Sequence, residues 1–244
     1  MSDGLRVLAT VSAAAMLMLS AGPARSDVID VVVDARLPWI GFVNVFAVPT
    51  APGTDRGDYV EGLFLGTDIA QVPAVFSAGA LVVGPNDRVG GAPPGDPYWW
   101  QPDGQGGYQP NKVLESNVYV DEGFSGVDLS GQTVRFSGQT LSQSLPAGYT
   151  AYAWIRDFAP GYTVQRDQVI VPLVAGLPFE ALMNTSGDGV VQYGLAVFGP
   201  NADPAPLVPG QVVSVSAVPE PGTSAMWLAG TLALFGLTRR TRRA

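Results

Sequence analysis

Backbone breakers set the first limit on this chain: of its 244 residues, 30 are Gly and 21 are Pro. Glycine loses more conformational freedom than any other residue when it is fixed in a helix, and proline removes a donor and clashes with the preceding turn. Spread along the sequence at this density, they exclude a helical bundle or coiled coil and favour short strands joined by tight turns. Hydrophobic residues make up 47% and charged residues 14%, so the chain can bury a core and is no disordered acidic tail. It has neither Cys nor His. Disulfides, thiolate or imidazole zinc sites, a Cys–His dyad and a Ser–His–Asp triad are therefore all excluded.

The two ends read as addresses rather than fold. Residues 1–26 form a secretory signal: Arg6 in a short n-region, a 15-residue apolar run from Val7 to Ala21, then Ala24 and Ser26 as the small residues before a cut at Asp27. That run is short for a span, which takes about 20 residues. The C-terminus has three parts in order: Pro219-Glu220-Pro221, a 14-residue apolar run Ser224–Leu237, and a basic tail with Arg239, Arg240, Arg242 and Arg243. As a helix the run reaches about 21 Å, short of the roughly 30 Å hydrocarbon core, yet it can lodge there by thinning and snorkelling. The Arg cluster keeps that end cytoplasmic and everything before it outside.

Pro-Glu-Pro, short apolar helix and terminal Arg cluster together closely resemble the PEP-CTERM sorting signal of Gram-negative bacteria. The resemblance implies an exosortase, a membrane cysteine transpeptidase, as the partner that recognises residues 218–244 and removes them, and a link to exopolysaccharide or biofilm matrix. It also implies export through the Sec translocon, cleavage by signal peptidase and a transient tether to the inner membrane. Segments Trp39–Phe46, Val134–Gly138, Ala153–Pro160 and Val191–Gly194 are further similar to a recurrent domain of such proteins that has no established activity. Processing at both ends removes six of the 13 basic and two of the 21 acidic groups, taking the net charge from −8 to −12. So acidic a surface repels phosphate backbones, which argues against nucleic acid as a partner.

Between the ends, residues 27–217 carry period-2 and buried β-type runs with no helical period beyond two turns. Strands are expected at Val28–Val33, Trp39–Val48, Tyr59–Leu65, Ala80–Val83, Asn117–Val120, Thr133–Ser137, Thr150–Phe158, Gln168–Leu173, Phe179–Met183, Val190–Phe198 and Gln211–Val215. The fold class is all-β, a β-sandwich or jelly roll flanked by a signal helix and a short C-terminal membrane helix. Val83–Gln109 reads as one long loop, too rich in Gly and Pro for a strand. At an offset of 115 the chain faintly echoes itself: Trp39-Ile40 falls on Trp154-Ile155, and Val75, Gly79 and Val82 fall on Val190, Gly194 and Val197. Two related halves with a boundary near 115 would produce that echo.

The long loop holds the candidate binding site. Tyr98, Trp99 and Trp100, with Tyr108 and neighbouring Asp96, Gln101, Asp103 and Gln105, offer the flat aromatic faces and hydroxyl acceptors on which sugars bind. A second reading stands beside it, in which Trp99 or Trp100 folds back as a lid over the core. Trp39 and Trp154, set in strand runs, read as core. Asn86, Asp87, Asp96, Asp103 and Asn184–Asp188 supply oxygen ligands for a structural Ca²⁺, although such residues are also ordinary turn formers; no other cofactor or metal is implied. Carboxylates Asp121, Glu122, Asp128, Asp157 and Asp167 show no spacing that singles out a glycosidase pair. The expectation is a non-catalytic, secreted envelope or matrix protein, structural or adhesive, with a carbohydrate-binding module at residues 98–108 as the alternative.

Overall fold

A computed structural model describes residues 28–205 and 209–217. The signal segment and the sorting segment, with the helix expected in each, lie outside the described residues. Among the described residues, fourteen strands, one four-residue α-helix, α1 (Glu122–Ser125), and two 3₁₀ turns, Ile69–Gln71 and Pro160–Tyr162, account for the regular structure. No helix among the described residues is long and apolar enough to cross a membrane.

Six strands form the first sheet: β1 (Val28–Val32), β4 (Ala74–Ser77), β5 (Ala80–Val83), β9 (Thr133–Gln143), β12 (Pro178–Asn184) and β14 (Val213–Ser216). β9 organises it. β12 runs antiparallel to β9, β1 runs parallel to it over Thr133–Ser137, and β14 takes up its second half. Six more form the larger sheet, in the order β11 (Gln165–Pro172), β10 (Thr150–Phe158), β13 (Val190–Pro200), β8 (Lys112–Asp121), β2 (Trp39–Ala47), β3 (Tyr59–Gly66), antiparallel throughout. The chain is a β-sandwich. Alternation along each strand sends one set of side chains between the sheets: Val43 and Val45, Val118 and Val120, Ala153 and Ile155, Leu195 and Val197 from the larger sheet meet Leu81, Val83, Val134 and Phe136 from the other. Trp39 joins that core, as its place in a strand run suggests.

Eleven of the strands fall where the period-2 pattern puts them. Three do not. β4 pairs with β5 through a two-residue turn in which Ala78 (φ 49°) and Gly79 (φ 80°) both take left-handed backbone, the conformation a tight hairpin needs, with Ala where Asn is usual. The other two correct the reading of Val83–Gln109 as plain loop: β6 (Trp100–Pro102) pairs with β7 (Tyr108–Pro110) inside it. Asp103 closes that hairpin by accepting from the backbone N–H of Gln105 at 2.7 Å and of Gly107 at 2.9 Å.

Of the blocks that echo at an offset of 115, one pair falls in strands of the same sheet, Trp39-Ile40 in β2 and Trp154-Ile155 in β10, and another does not. Val75 and Val82 lie in the β4–β5 hairpin of one sheet, whereas Val190 and Val197 lie in the single strand β13 of the other. Residue 115 sits inside β8, between β2 and β13.

Candidate functional site

The outward face of the larger sheet is not an ordinary solvent face. Residues of β8 that point away from the core are Val113, Glu115, Asn117, Tyr119 and Asp121, and those of β10 are Tyr152, Trp154, Arg156 and Phe158. A second hydrophobic cluster forms there from Ile40, Val113, Tyr119, Tyr152, Trp154, Ala196 and Phe198. Trp154 is core in the sense of burial, at 1% exposure, but it belongs to this outer cluster and not to the space between the sheets. Gly194 makes this possible. It lies between Tyr119 and Trp154 in register, and a Cβ there would meet the Val118 carbonyl oxygen at 2.4 Å and Tyr119 Cβ at 2.5 Å. With no side chain between them, the two rings lean together at 5.7 Å.

Over this face runs a groove of about 560 Å³ that draws on every strand of the larger sheet. Its rim is aromatic and exposed: Tyr59 and Phe64 from β3, Phe124 from α1, and Tyr162 from the short 3₁₀ turn Pro160–Tyr162. Tyr162 has a φ of 60°, a conformation that costs a non-glycine residue of order 1–3 kcal/mol. What holds it is its hydroxyl, which donates to the Asp121 carboxylate at 2.9 Å. Asp121 also accepts from Gln192 Nε2 at 2.7 Å and caps α1 through the Gly123 N–H at 2.8 Å. Burial and the bond to Asp121 push the Tyr162 hydroxyl pKa well up.

The floor is polar. Arg156 Nη2 pairs with Glu115 Oε1 at 2.7 Å and Nη1 donates to Asn117 Oδ1 at 3.2 Å, while the guanidinium lies 4.1 Å over the Trp154 ring. Glu115 further accepts from Tyr152 Oη, from Asn44 Nδ2 at 2.5 Å and from Asn117 Nδ2 at 3.3 Å. Burial alone would push its pKa up. The Arg156 charge and those three donors outweigh it and hold the carboxyl below the usual glutamate range. Tyr119 moves the other way: burial and the nearby Asp121 raise its hydroxyl to about 12. Trp154 Nε1 and Arg156 Nε are buried and have no hydrogen-bond partner among the described residues.

The loop residues singled out in the sequence do not form a platform. Trp100 is 2% exposed, and its indole N–H donates to the carbonyls of Gly90 at 3.2 Å and Gly91 at 3.1 Å. It folds back into its own loop, against Gly90, Gly91 and Gly95. Trp99 packs partly buried against the main core. Tyr98 is tied down as well: its hydroxyl donates to Glu61 at 2.5 Å, and Lys112 Nζ sits 4.2 Å over its ring. Tyr108 alone of the four is exposed, at 47%.

The oxygen ligands offered for calcium are each engaged separately. Asp103 closes its hairpin, Asp96 accepts from the Tyr98 N–H, Asp87 lies beside Arg88, and Asp188 pairs with Arg166. Among the described residues no group of three or more acidic side chains is gathered that could hold a metal ion. The carboxylates considered for catalysis are likewise spread out: Glu122 braces the N–H groups of Leu129, Ser130 and Val191, and Asp157 accepts from Ser186.

The groove residues escaped the sequence reading, although a signal for them exists. In Thr150–Phe158 the positions facing away from the core read Tyr, Trp, Arg, Phe, a second apolar and charged stripe where a solvated strand would carry short polar residues.

No curated protein matches the chain. Among solved structures, the N-terminal endo-1,4-beta-D-xylanase 10B of Clostridium thermocellum, as CBM22-1–GH10 modules complexed with xylohexaose, is similar at 9% identity. That match covers 46% of this chain and 23% of the other, with a TM-score of 0.24. The residues of the sorting motif, Pro219, Glu220, Pro221 and the four arginines, lie outside the described residues, but the family comparison reaches them. Residues 217–243 match the PEP-CTERM protein-sorting motif, so the chain carries that motif directly after β14.

Proposed function

We propose that this is an exported, exosortase-processed protein of the cell envelope or extracellular matrix of a Gram-negative bacterium, non-catalytic, which adheres to exopolysaccharide of the biofilm through the groove on its larger sheet. The sorting motif supports the destination. The observation that carries the adhesive role is the groove, where exposed rings of Tyr59, Phe64, Phe124 and Tyr162 surround a floor of amides and charge. Flat aromatic faces take the apolar faces of sugar rings, and side-chain amides take their hydroxyls. This moves the carbohydrate-binding reading from residues 98–108 to the sheet. The non-catalytic reading rests on the carboxylates nearest the groove: Asp121, which lines it, is held by three donors, and Glu115, buried beside Arg156 and not in the lining, by four, leaving neither placed as a free acid or base.

The test is affinity electrophoresis of the exported protein in gels containing exopolysaccharide of the producing organism. Retardation that Phe64→Ala weakens, without release of reducing sugar, is the expected result. Unretarded migration would end the adhesive reading, and sugar release lost on changing one carboxylate would make the protein an enzyme.

A further inference from the structure

We infer that the groove takes a neutral glycan and rejects polyuronates, a selectivity that rests on the carbohydrate-binding reading above. Charge on the floor decides it. Arg156 is the sole cation among the described residues lining the groove, and Glu115 already holds it at 2.7 Å. Asp121 adds a second carboxylate whose partners, Tyr162, Gln192 and the Gly123 N–H, are all neutral. An incoming uronate finds no unpaired cation and faces the Asp121 carboxylate inside a cleft, where screening is weaker than in bulk water. The chain as a whole, at −8, disfavours acidic polymers in the same sense.

A neutral sugar meets the opposite situation. The rim rings offer apolar contact. The Gln192 amide gives its N–H to Asp121 and keeps a carbonyl oxygen for a sugar hydroxyl. Trp154 Nε1 and Arg156 Nε are donors without partners beneath the same floor. Both atoms are closed off from the groove, and the Arg156 guanidinium covers the Trp154 ring at 4.1 Å, so a sugar hydroxyl is met instead by the uncharged amide of Gln165, which also lines the groove.

The exported protein is titrated calorimetrically with neutral and acidic fractions of the organism's exopolysaccharide and with polyguluronate, at about 20 mM and about 500 mM salt. The neutral fraction should bind, and both acidic probes should bind about tenfold or more weakly at low salt, the gap narrowing at high salt. Asp121→Asn removes the charge but also sets an amide donor among partners that donate, so the readout is the ratio of polyguluronate to neutral affinity, which should rise about tenfold whatever neutral binding is lost. Polyguluronate binding as tight as the neutral fraction, or a ratio unmoved by Asp121→Asn, overturns the selectivity and leaves the glycan reading standing. If no fraction binds, both fall together.

Discussion

Replacing Glu115 by Gln tests what holds the outer face of the larger sheet together. The side chain keeps its shape, but the carboxylate that answers Arg156 at 2.7 Å becomes a neutral amide. Arg156 is only 8% exposed, so its charge would be left buried and uncompensated. Asn44 Nδ2 and Asn117 Nδ2, which both donate to Glu115 Oε2, would meet an amide that can satisfy at most part of that demand. Breaking one side of a buried pair typically costs about 3–5 kcal/mol. That is a large share of the roughly 5–15 kcal/mol that holds a domain folded. For a fold of this size, each kcal/mol moves the melting temperature by about 2–4 °C, which gives a fall of about 6–20 °C. Thermal melts and urea titrations of the exported protein measure it. Removing both charges together, as Glu115→Leu with Arg156→Met, should recover only part of the loss: the uncompensated charge is gone, but Asn44, Asn117 and Tyr152 keep donors without an acceptor. A Glu115→Gln cost below about 1 kcal/mol would refute the argument: it would mean that solvent, and not Glu115, compensates the guanidinium.

Acid should weaken the same network. The folded Glu115 pKa lies below the ordinary 4.5, so the unfolded state binds the proton first; the contribution is complete above that value and is lost as pH falls below it. Urea midpoints at about pH 7 and pH 3 should show the drop, and Glu115→Gln should flatten its slope. Gly194→Ala forces a Cβ to within 2.6 Å of three atoms of β8; overpacking of this kind costs about 1–3 kcal/mol, read as a lower melting temperature. Trp100→Phe removes an indole donor that two carbonyls share, so hydrogen exchange around Gly90 and Gly91 should quicken while retardation by exopolysaccharide stays unchanged; retardation lost with the fold intact would restore the loop as the binding surface. Tyr162→Phe keeps the rim ring but drops the bond to Asp121 that holds a left-handed backbone, and should weaken glycan binding several-fold, with Tyr162→Gly weakening it further by loss of the ring.

Strand runs such as Val43–Val45 and Phe179–Met183 announce themselves in the sequence because a half-buried strand must alternate. Lys112–Asp121 is extended well beyond Asn117–Val120, the part that period-2 reasoning finds. Lys112, Glu115 and Asn117 break the apolar pattern there, yet every residue of the strand is buried, because both faces of β8 are covered. A pattern read as one apolar face against one wet face has no place for that. The site was hidden for a related reason. Its rim comes from β3, α1 and the 160–162 turn, segments far apart in sequence that only the register of the larger sheet brings together. The aromatic trio at 98–100 drew attention by its composition, but Trp100 turns into its own loop, and the Tyr98 and Trp99 rings, edge-on at 4.7 Å, are engaged by Glu61 and by the main core.

β14 fixes how force would travel through the molecule. It is four residues long, hydrogen-bonded to β9 on one side and β5 on the other, and its Ser216 lies opposite Gln139 in the middle of β9. Tension applied at Ala217 therefore enters the smaller sheet at an interior strand held along both edges. The groove lies on the far side of the sandwich, so on the adhesive reading proposed above a polymer pulling there against a force at Ala217 would load the fold across its hydrophobic core. Such a load tends to draw the sheets apart rather than unzip an edge, and the mechanical limit of the domain is then the inter-sheet packing of residues such as Phe136, Leu195 and Val213.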